Sequence, residues 1–270
     1  YRMIFNLYKT IIKKNLFVTS PHQIKVMLLA IDIGNTRIKG AVFEHDTLLE
    51  AFVFSPNELE ININSILKKY PKCSDLVIAS VGNTPKEVFL AFKNQLDIHF
   101  ISHQSLFPFQ NLYKTPETLG IDRMVLASGA VLKFPNYNRL VIDAGTCVTY
   151  DFVDVGNHYL GGAISPGIRL RYEALHQYTA KLPLLTKTNP DHYIGNTTQQ
   201  AIHTGVIQGL IHEIDGFITQ YQSQYPNIII ILTGGDADFL AKRLKNTIFA
   251  NSNFLLESLN QTFQYKIKND

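Results

Sequence analysis

Ala30-Ile31-Asp32-Ile33-Gly34-Asn35-Thr36-Arg37-Ile38-Lys39 carries an apolar strand into a tight polar turn and out into a second strand. A related stretch, Val141-Ile142-Asp143-Ala144-Gly145-Thr146-Cys147-Val148-Thr149, follows 111 residues later. Two strand-Asp-x-Gly-polar turns predict two similar halves facing one another across a cleft. A nucleoside triphosphate is the natural occupant of such a cleft.

Outward from the first turn, the alternation predicts strands over 28 to 33, 37 to 43 and 47 to 54, then a helix from about Glu58 to Tyr70. A buried strand at Leu76 to Val81, a helix from Pro85 to about Asn94 and a strand near Ile98 to Ser102 come next. The second half repeats the plan. Strands are expected near 139 to 143, 147 to 153 and 158 to 162, then helical segments and a long helix from about Thr198 to Gln222. A buried strand at 228 to 232 and a helix from about Ala237 to Leu244 follow. The fold class is therefore a duplicated α/β fold. A helix from about Ile121 to Leu132 bridges the halves, and no Pro- or Ser-rich linker separates them. The expected domains are 27–138 and 139–270, behind a non-native or disordered leader at 1–26.

The leader is set apart by charge. It holds Arg2, Lys9, Lys13, Lys14 and Lys25 and no acidic residue, so without it the formal charge falls from +3 to −2. The body thus offers no general electrostatic case for nucleic acid. Ile4, Leu7, Ile11 and Ile12 give the leader some amphipathic character, but a chain opening on Tyr1 and a strand starting at Met27 favour a non-native segment. The longest apolar runs, near Leu28 and at Ile228-Ile229-Ile230-Ile231-Leu232, fall far short of the ~20 residues of a membrane span. Cys73 and Cys147 are the only cysteines, with neither a CxxC nor a Cys/His cluster, so a disulfide framework and a structural zinc are not expected. A reducing cytoplasm is the expected compartment.

A phosphate-cradling turn needs glycine for close backbone approach, small hydroxyl or amide donors, and a carboxylate able to hold Mg²⁺ through its water shell. Asp32, Gly34, Asn35, Thr36 and Lys39 supply these. Gly-Asn-Thr itself recurs at 82 to 84 and 195 to 197, so it can equally be plain turn chemistry. Asp32 before it and Lys39 after it distinguish the first copy, and only Asp143-Ala144-Gly145-Thr146 echoes its Asp-x-Gly part. Leu232-Thr233-Gly234-Gly235-Asp236 joins a very apolar strand to a helix, where bare backbone can pack against a base or ribose.

Four motifs occur in order: Asp32-x-Gly34-Asn35-Thr36-x-x-Lys39, Gly120-Ile121-Asp122-Arg123, Asp143-x-Gly145-Thr146 and Gly161-Gly162-x-Ile164-x-Pro166-Gly167. With them the chain resembles type III pantothenate kinase from Met27 nearly to its C-terminus. The resemblance implies the superfamily of acetate kinase, sugar kinases, heat-shock chaperones and actin, with two ribonuclease H-like domains and a homodimer. It implies ATP-dependent phosphorylation of pantothenate to 4'-phosphopantothenate, the first step of coenzyme A biosynthesis.

Residue by residue, the resemblance assigns ATP to the loop Asp32, Ile33, Gly34, Asn35, Thr36, Arg37, Ile38 and Lys39, and to Thr146, with Gly234 and Gly235 added from the third glycine turn. Asp143 would bind a monovalent cation, K⁺ or NH₄⁺, and Asp32 would hold Mg²⁺ through water. Pantothenate would be bound by Tyr113, Gly120, Ile121, Asp122, Arg123 and Thr198, with Asp122 as general base. The chemistry agrees: a primary alcohol needs a carboxylate near its proton, and the planar fork of Arg123 suits a substrate carboxylate.

Ordinary structure would account for several of these residues. Asp122 and Arg123 would suit the first turn of a helix, Tyr113 a half-buried aromatic in the Pro108 to Pro116 loop, and Thr198 a helix N-cap. Cys147 is expected as a small buried thiol without a catalytic role. His99 with His103 and His203 with His212 lack a third ligand and are read as surface or satisfied core side chains. The rival readings are a sugar or carboxylate kinase of the same superfamily and a nucleotide-responsive regulatory or accessory protein.

Overall fold

The computed structural model describes residues 27–34, 36–80, 87–190 and 192–269. The leader, Asn35 and the second Gly-Asn-Thr at 82 to 84 lie outside the described residues. The chain separates into two compact units. An N-terminal unit runs to Pro135 and takes in Asn157–Tyr159 and the chain from Asn253; a C-terminal unit holds Asn136–Gly156 and Leu160–Ser252.

In the N-terminal unit, β1 (Met27–Ile33), β2 (Ile38–Glu44), β3 (Thr47–Phe54), β4 (Cys73–Ser80) and β5 (Asp97–Phe100) form a sheet of order β3-β2-β1-β4-β5. β1 to β3 are an antiparallel meander, and β4 and β5 add in parallel. β1 lies in the middle of the sheet and is buried from Leu28 to Ile33, whereas β3, at the edge, alternates exposed and half-buried side chains. Leu29, Ile31 and Ile33 pack with Leu59, Ile63 and Ile66 of α1 (Leu59–Lys69). A fully buried leucine or isoleucine of this kind contributes about 1.5–3 kcal/mol.

The expected helix from Pro85 begins outside the described residues, at Pro85 and Lys86. Among the described residues only α2 (Glu87–Leu90) is helical, and turns closed by Phe92 N–H to Phe89 O and Leu96 N–H to Phe92 O bury Phe89, Phe92 and Leu96 without further helix. β6 (Gln110–Asn111) pairs in parallel with His158 and Tyr159, the first residues of β9 (His158–Pro166). The helix α3 (Ile121–Lys133) follows, buried from Met124 to Val131.

The C-terminal unit carries β7 (Arg139–Ala144), β8 (Cys147–Val153), β9, β10 (Ile229–Thr233) and β11 (Phe249–Ala250) in the order β11-β10-β7-β8-β9. Counted from its first hairpin, this is again 3-2-1-4-5, so the duplication the two turns predicted is present in the topology. Its helices are α4 (Ile168–Gln177), α5 (Thr198–Gln224) and α6 (Ala237–Ala241). Leu140, Ile142 and Ala144 of β7 pack with Ile230 and Leu232 of β10 and with Ile207, Leu210 and Ile214 of α5.

The last helix, α7 (Phe254–Asn269), belongs to the N-terminal unit, although its place in the sequence falls within 139–270. It packs on α3, β1, β2 and β4. Thr262 Oγ1 donates to Ser128 Oγ of α3 at 2.7 Å, and the His99 ring lies 4.6 Å from that of Phe263. Since Val77 pairs with both Ala30 and His99, α7 covers the face of β1 that carries Leu28, Ala30 and Asp32. No helix of the described residues is long and apolar enough to cross a membrane.

Candidate active site

The β1–β2 hairpin sets Asp32 directly opposite Lys39, and both leave the sheet on the face covered by α7. Between them Gly34 N–H bonds Arg37 O at 3.2 Å and closes the turn, leaving Thr36 and Arg37 exposed. Asp32 is 5 % exposed. Ile33 and Ile38 pair across the hairpin and are buried, so only their backbone can serve a ligand.

Gly120 caps α3, and Asp122 lies in the first turn, where its Oδ1 accepts from Arg123 N–H at 2.8 Å. Burial raises the Asp122 carboxyl above its ordinary range. The Arg123 N–H, the Arg123 charge and the Lys39 charge pull it back only in part. That influence of Lys39 links the phosphate-type turn to the first turn of α3 within one unit. A side chain at Gly120 would meet Asp122 Oδ1 where it now lies, so the glycine leaves the carboxylate its place.

Arg123 is 6 % exposed, with its guanidinium 5.9 Å from the centre of the Tyr113 ring. Tyr113 is in turn 6.1 Å from Tyr159, edge to face, and its N–H is held by Asn111 Oδ1 at 3.0 Å. The N-terminal unit therefore connects Asp32, Lys39, Asp122, Arg123 and Tyr113 in one chain of neighbours.

In the C-terminal unit Asp143 is the last residue but one of β7, and the turn after it is closed by Gly145 N–H to Cys147 O at 2.9 Å. Gly167 N–H bonds Thr146 O at 3.0 Å, which ties the end of the Gly161 to Gly167 motif to this turn. Gly234 has φ +97° and sits so close to Asp143 Oδ1 and Ala144 O that no Cβ fits. Asp236 N–H bonds Ala144 O at 3.0 Å, and its carboxylate pairs with Lys187 at 2.6 Å, so the third glycine turn is held against the second.

Two expectations are corrected. Cys147 is exposed rather than buried, because it opens β8 and the next residue, Val148, takes the core side. The cap of α5 is Thr197, whose Oγ1 accepts from Gln200 N–H at 3.2 Å; Thr198 is the first helical residue and is exposed. The histidines have separate partners: His99 bonds Asp75, His103 the Leu119 carbonyl, His203 Tyr172 and His212 Tyr193.

Sequence reasoning missed a polar cluster beside the second turn. Glu213 of α5 accepts from Tyr150 Oη at 2.9 Å and Ser165 Oγ at 2.5 Å, and pairs with Arg171 at 2.5 Å. Burial alone would raise the Glu213 carboxyl, yet the hydrogen bonds from Ser165, Arg171 and Tyr150 hold it below its ordinary range. No local signal marks these four residues; they meet only through the fold.

The residues fit the groups that the motifs suggest. Asp32 is a buried carboxylate opposite a lysine at a glycine turn, suited to holding a hydrated divalent cation beside phosphate. Among the described residues no cluster of three or more His, Cys, Asp or Glu could hold a metal, so a divalent ion would depend on water and phosphate oxygens. Asp143 is a partly buried carboxylate set against the bare backbone of Gly234 at a strand end, a hard oxygen donor of the kind a monovalent cation takes.

The family model for type III pantothenate kinase matches residues 28–220. The chain is 67% identical over 244 residues to a type III pantothenate kinase of Flavobacterium johnsoniae, covering 90% of this chain and 100% of the relative. It is 61% identical to that of Flavobacterium psychrophilum, covering 89% and 100%, and 43% identical to that of Christiangramia forsetii, covering 88% and 98%. Among solved structures, a protein described as a Baf family transcriptional activator from Campylobacter jejuni matches with a TM-score of 0.59 at 22% identity, covering 89% of this chain and 99% of that one. One described as 2-dehydro-3-deoxygalactonokinase from Sinorhizobium meliloti matches at 0.52 and 11% identity, covering 90% and 98%. At such identities these structures speak for the fold alone, the duplicated α/β architecture described above. By the family match and the identity of its relatives over nearly their whole length, the chain belongs to the type III pantothenate kinase family.

Proposed function

We propose that this protein transfers the γ-phosphoryl group of ATP to the primary hydroxyl of pantothenate, giving 4'-phosphopantothenate and opening coenzyme A biosynthesis. The observation that carries this reading is Asp122. It is a buried carboxylate in the first turn of α3, raised above its ordinary range, with Lys39 within electrostatic reach and Arg123 beside it.

In this reading the turn from Asp32 to Lys39, Asn35 included, receives the ATP phosphates, and Thr146, Gly234 and Gly235 also contact the nucleotide. Lys39 stands where charge builds on the phosphoryl oxygens. Arg123, held against Tyr113, pairs with the pantothenate carboxylate, and Gly120 and Ile121 bring the backbone to the substrate. Asp122 takes the hydroxyl proton as the oxygen attacks. Its raised affinity for protons suits that task better than an ordinary carboxylate's. Asp32 would hold Mg²⁺ through water and Asp143 a monovalent cation; when bound, these ions neutralise phosphate charge. We further propose a cytoplasmic homodimer in which Thr198 of one copy reaches the other's substrate.

Coupled measurement of ADP release tests the core of this. ATP should be consumed only with pantothenate present, and faster in KCl than in choline chloride; turnover with a sugar and none with pantothenate would refute the acceptor. Asp122→Asn keeps the shape and removes the base, so kcat should fall by about 10²–10⁴-fold while nucleotide binding survives.

A further inference from the structure

We infer that Thr233 supplies a cation ligand beside Asp143, its hydroxyl oxygen completing the site with Thr149 from the other side. This rests on the reading that Asp143 holds a monovalent cation.

The strand register puts the three residues in a row. Parallel pairing sets Thr233 of β10 opposite Asp143 of β7, and antiparallel pairing sets Thr149 of β8 opposite the same aspartate. Paired residues on neighbouring strands project to one face. The other face, with Ile142, Ala144 and Leu232, is sealed in the α5 core. Hydroxyl, carboxylate and hydroxyl therefore stand side by side across three strands, two of which end there in parallel, where open α/β sheets receive their ligands.

Thr233 does not behave as a structural hydroxyl. It closes the run Ile229-Ile230-Ile231-Leu232, is 1 % exposed, and its Oγ1 has no hydrogen-bond partner among the described residues. Leaving a buried hydroxyl so is destabilising, and valine would fill the same space without that cost. Thr149 Oγ1 donates its proton to Asp151 Oδ2 at 3.1 Å, which turns its lone pairs outward from that bond. Two neutral hydroxyl oxygens and the Asp143 carboxylate make a hard oxygen donor set, and the buried Asp151 carboxylate behind Thr149 adds negative charge that favours a cation there. The backbone is fixed on both sides, by the turn at Gly234 and by the Asp236 N–H to Ala144 O bond, so the Thr233 oxygen is held in place before any ion arrives.

The test is thermal unfolding of the whole protein without substrates, titrated with KCl at constant ionic strength against choline chloride, whose cation is too large for the site. Wild type should gain stability with KCl by mass action. Thr233→Val should be at least as stable as wild type in choline chloride and require at least about tenfold more KCl for the same gain, a difference of about 1.4 kcal/mol in binding. Thr233→Ser should respond as wild type does. An equal KCl response in wild type and Thr233→Val overturns the role of Thr233 and leaves the cation at Asp143 standing. The absence of any KCl response in wild type overturns both. A Thr233→Val protein clearly less stable than wild type in choline chloride also overturns it, since the hydroxyl would then be satisfied within the protein.

Discussion

Asp122 shows how one side chain is tuned by its surroundings. Burial favours its protonated form, and the charges of Arg123 and Lys39 offset this only partly. The carboxylate needed to accept a proton is therefore formed only above the ordinary range of aspartate, near 3.9. The acid limb of kcat/KM for pantothenate should lie above that range, and Lys39→Met should move it further up, because one of the charges favouring the anion is lost. Gly120→Ala places a methyl where Asp122 Oδ1 sits, so the carboxylate must swing away. Turnover should drop at least about tenfold, with the far-ultraviolet circular dichroism unchanged, since misplacing a reacting group by about 1 Å has effects of that order or larger. At this scale the sequence was informative. Asp-x-Gly, Gly-x-Asp-Arg and the glycine pair are local patterns at strand and helix ends, and local chemistry is what a sequence displays.

Among the elements, α5 is tied to its unit by a carboxylate as well as by apolar packing. Glu213 joins α5 to β8, β9 and α4 through Tyr150, Ser165 and Arg171, and thereby supports the Gly167 contact with the Thr146 turn. Glu213→Gln should destabilise the protein by about 1–3 kcal/mol at neutral pH, since Arg171 loses its partner while part of the pair remains screened by solvent. The carboxyl titrates below its ordinary range, so the stability it provides is complete above that range and is lost as pH falls through its depressed value. Urea titrations of both proteins should therefore converge on acidification, as the wild type loses what the variant already lacks. None of this was legible beforehand. A glutamate in a long helix reads as a solvated face until β8, β9 and α4 are placed against it. The long helix itself was clear from its periodicity, whereas the cap moved by one residue, to Thr197, because two threonines in succession offer the same side chain.

For the whole molecule, the 3-2-1 part of each sheet follows from the hairpins that the alternation marks, since strand pairing by short turns is a near-neighbour property, whereas the parallel places of the fourth and fifth strands came only with the fold. α7 was the longest element the sequence left unread, as its contacts on β1, β4 and α3 lie more than a hundred residues away along the chain. Its Ser258 packs against Gly129 so closely that no Cβ fits there. A chain ending at Ser252 should therefore lose amide protection in β1, β4 and α3 by hydrogen exchange, while β7, β8 and α5 keep theirs; uniform loss would show that the two units fold only together.

The return of α7 to the first unit also has a consequence for biosynthesis. The N-terminal unit cannot close while the ribosome still holds α7, so its sheet waits with one face uncovered as the second unit emerges and folds. Translation in a cell thus meets this protein in the reverse of its written order. The hairpin at Asp32 is made long before α7, and the helix bearing Asp122 receives its full packing only after α7 has left the ribosome.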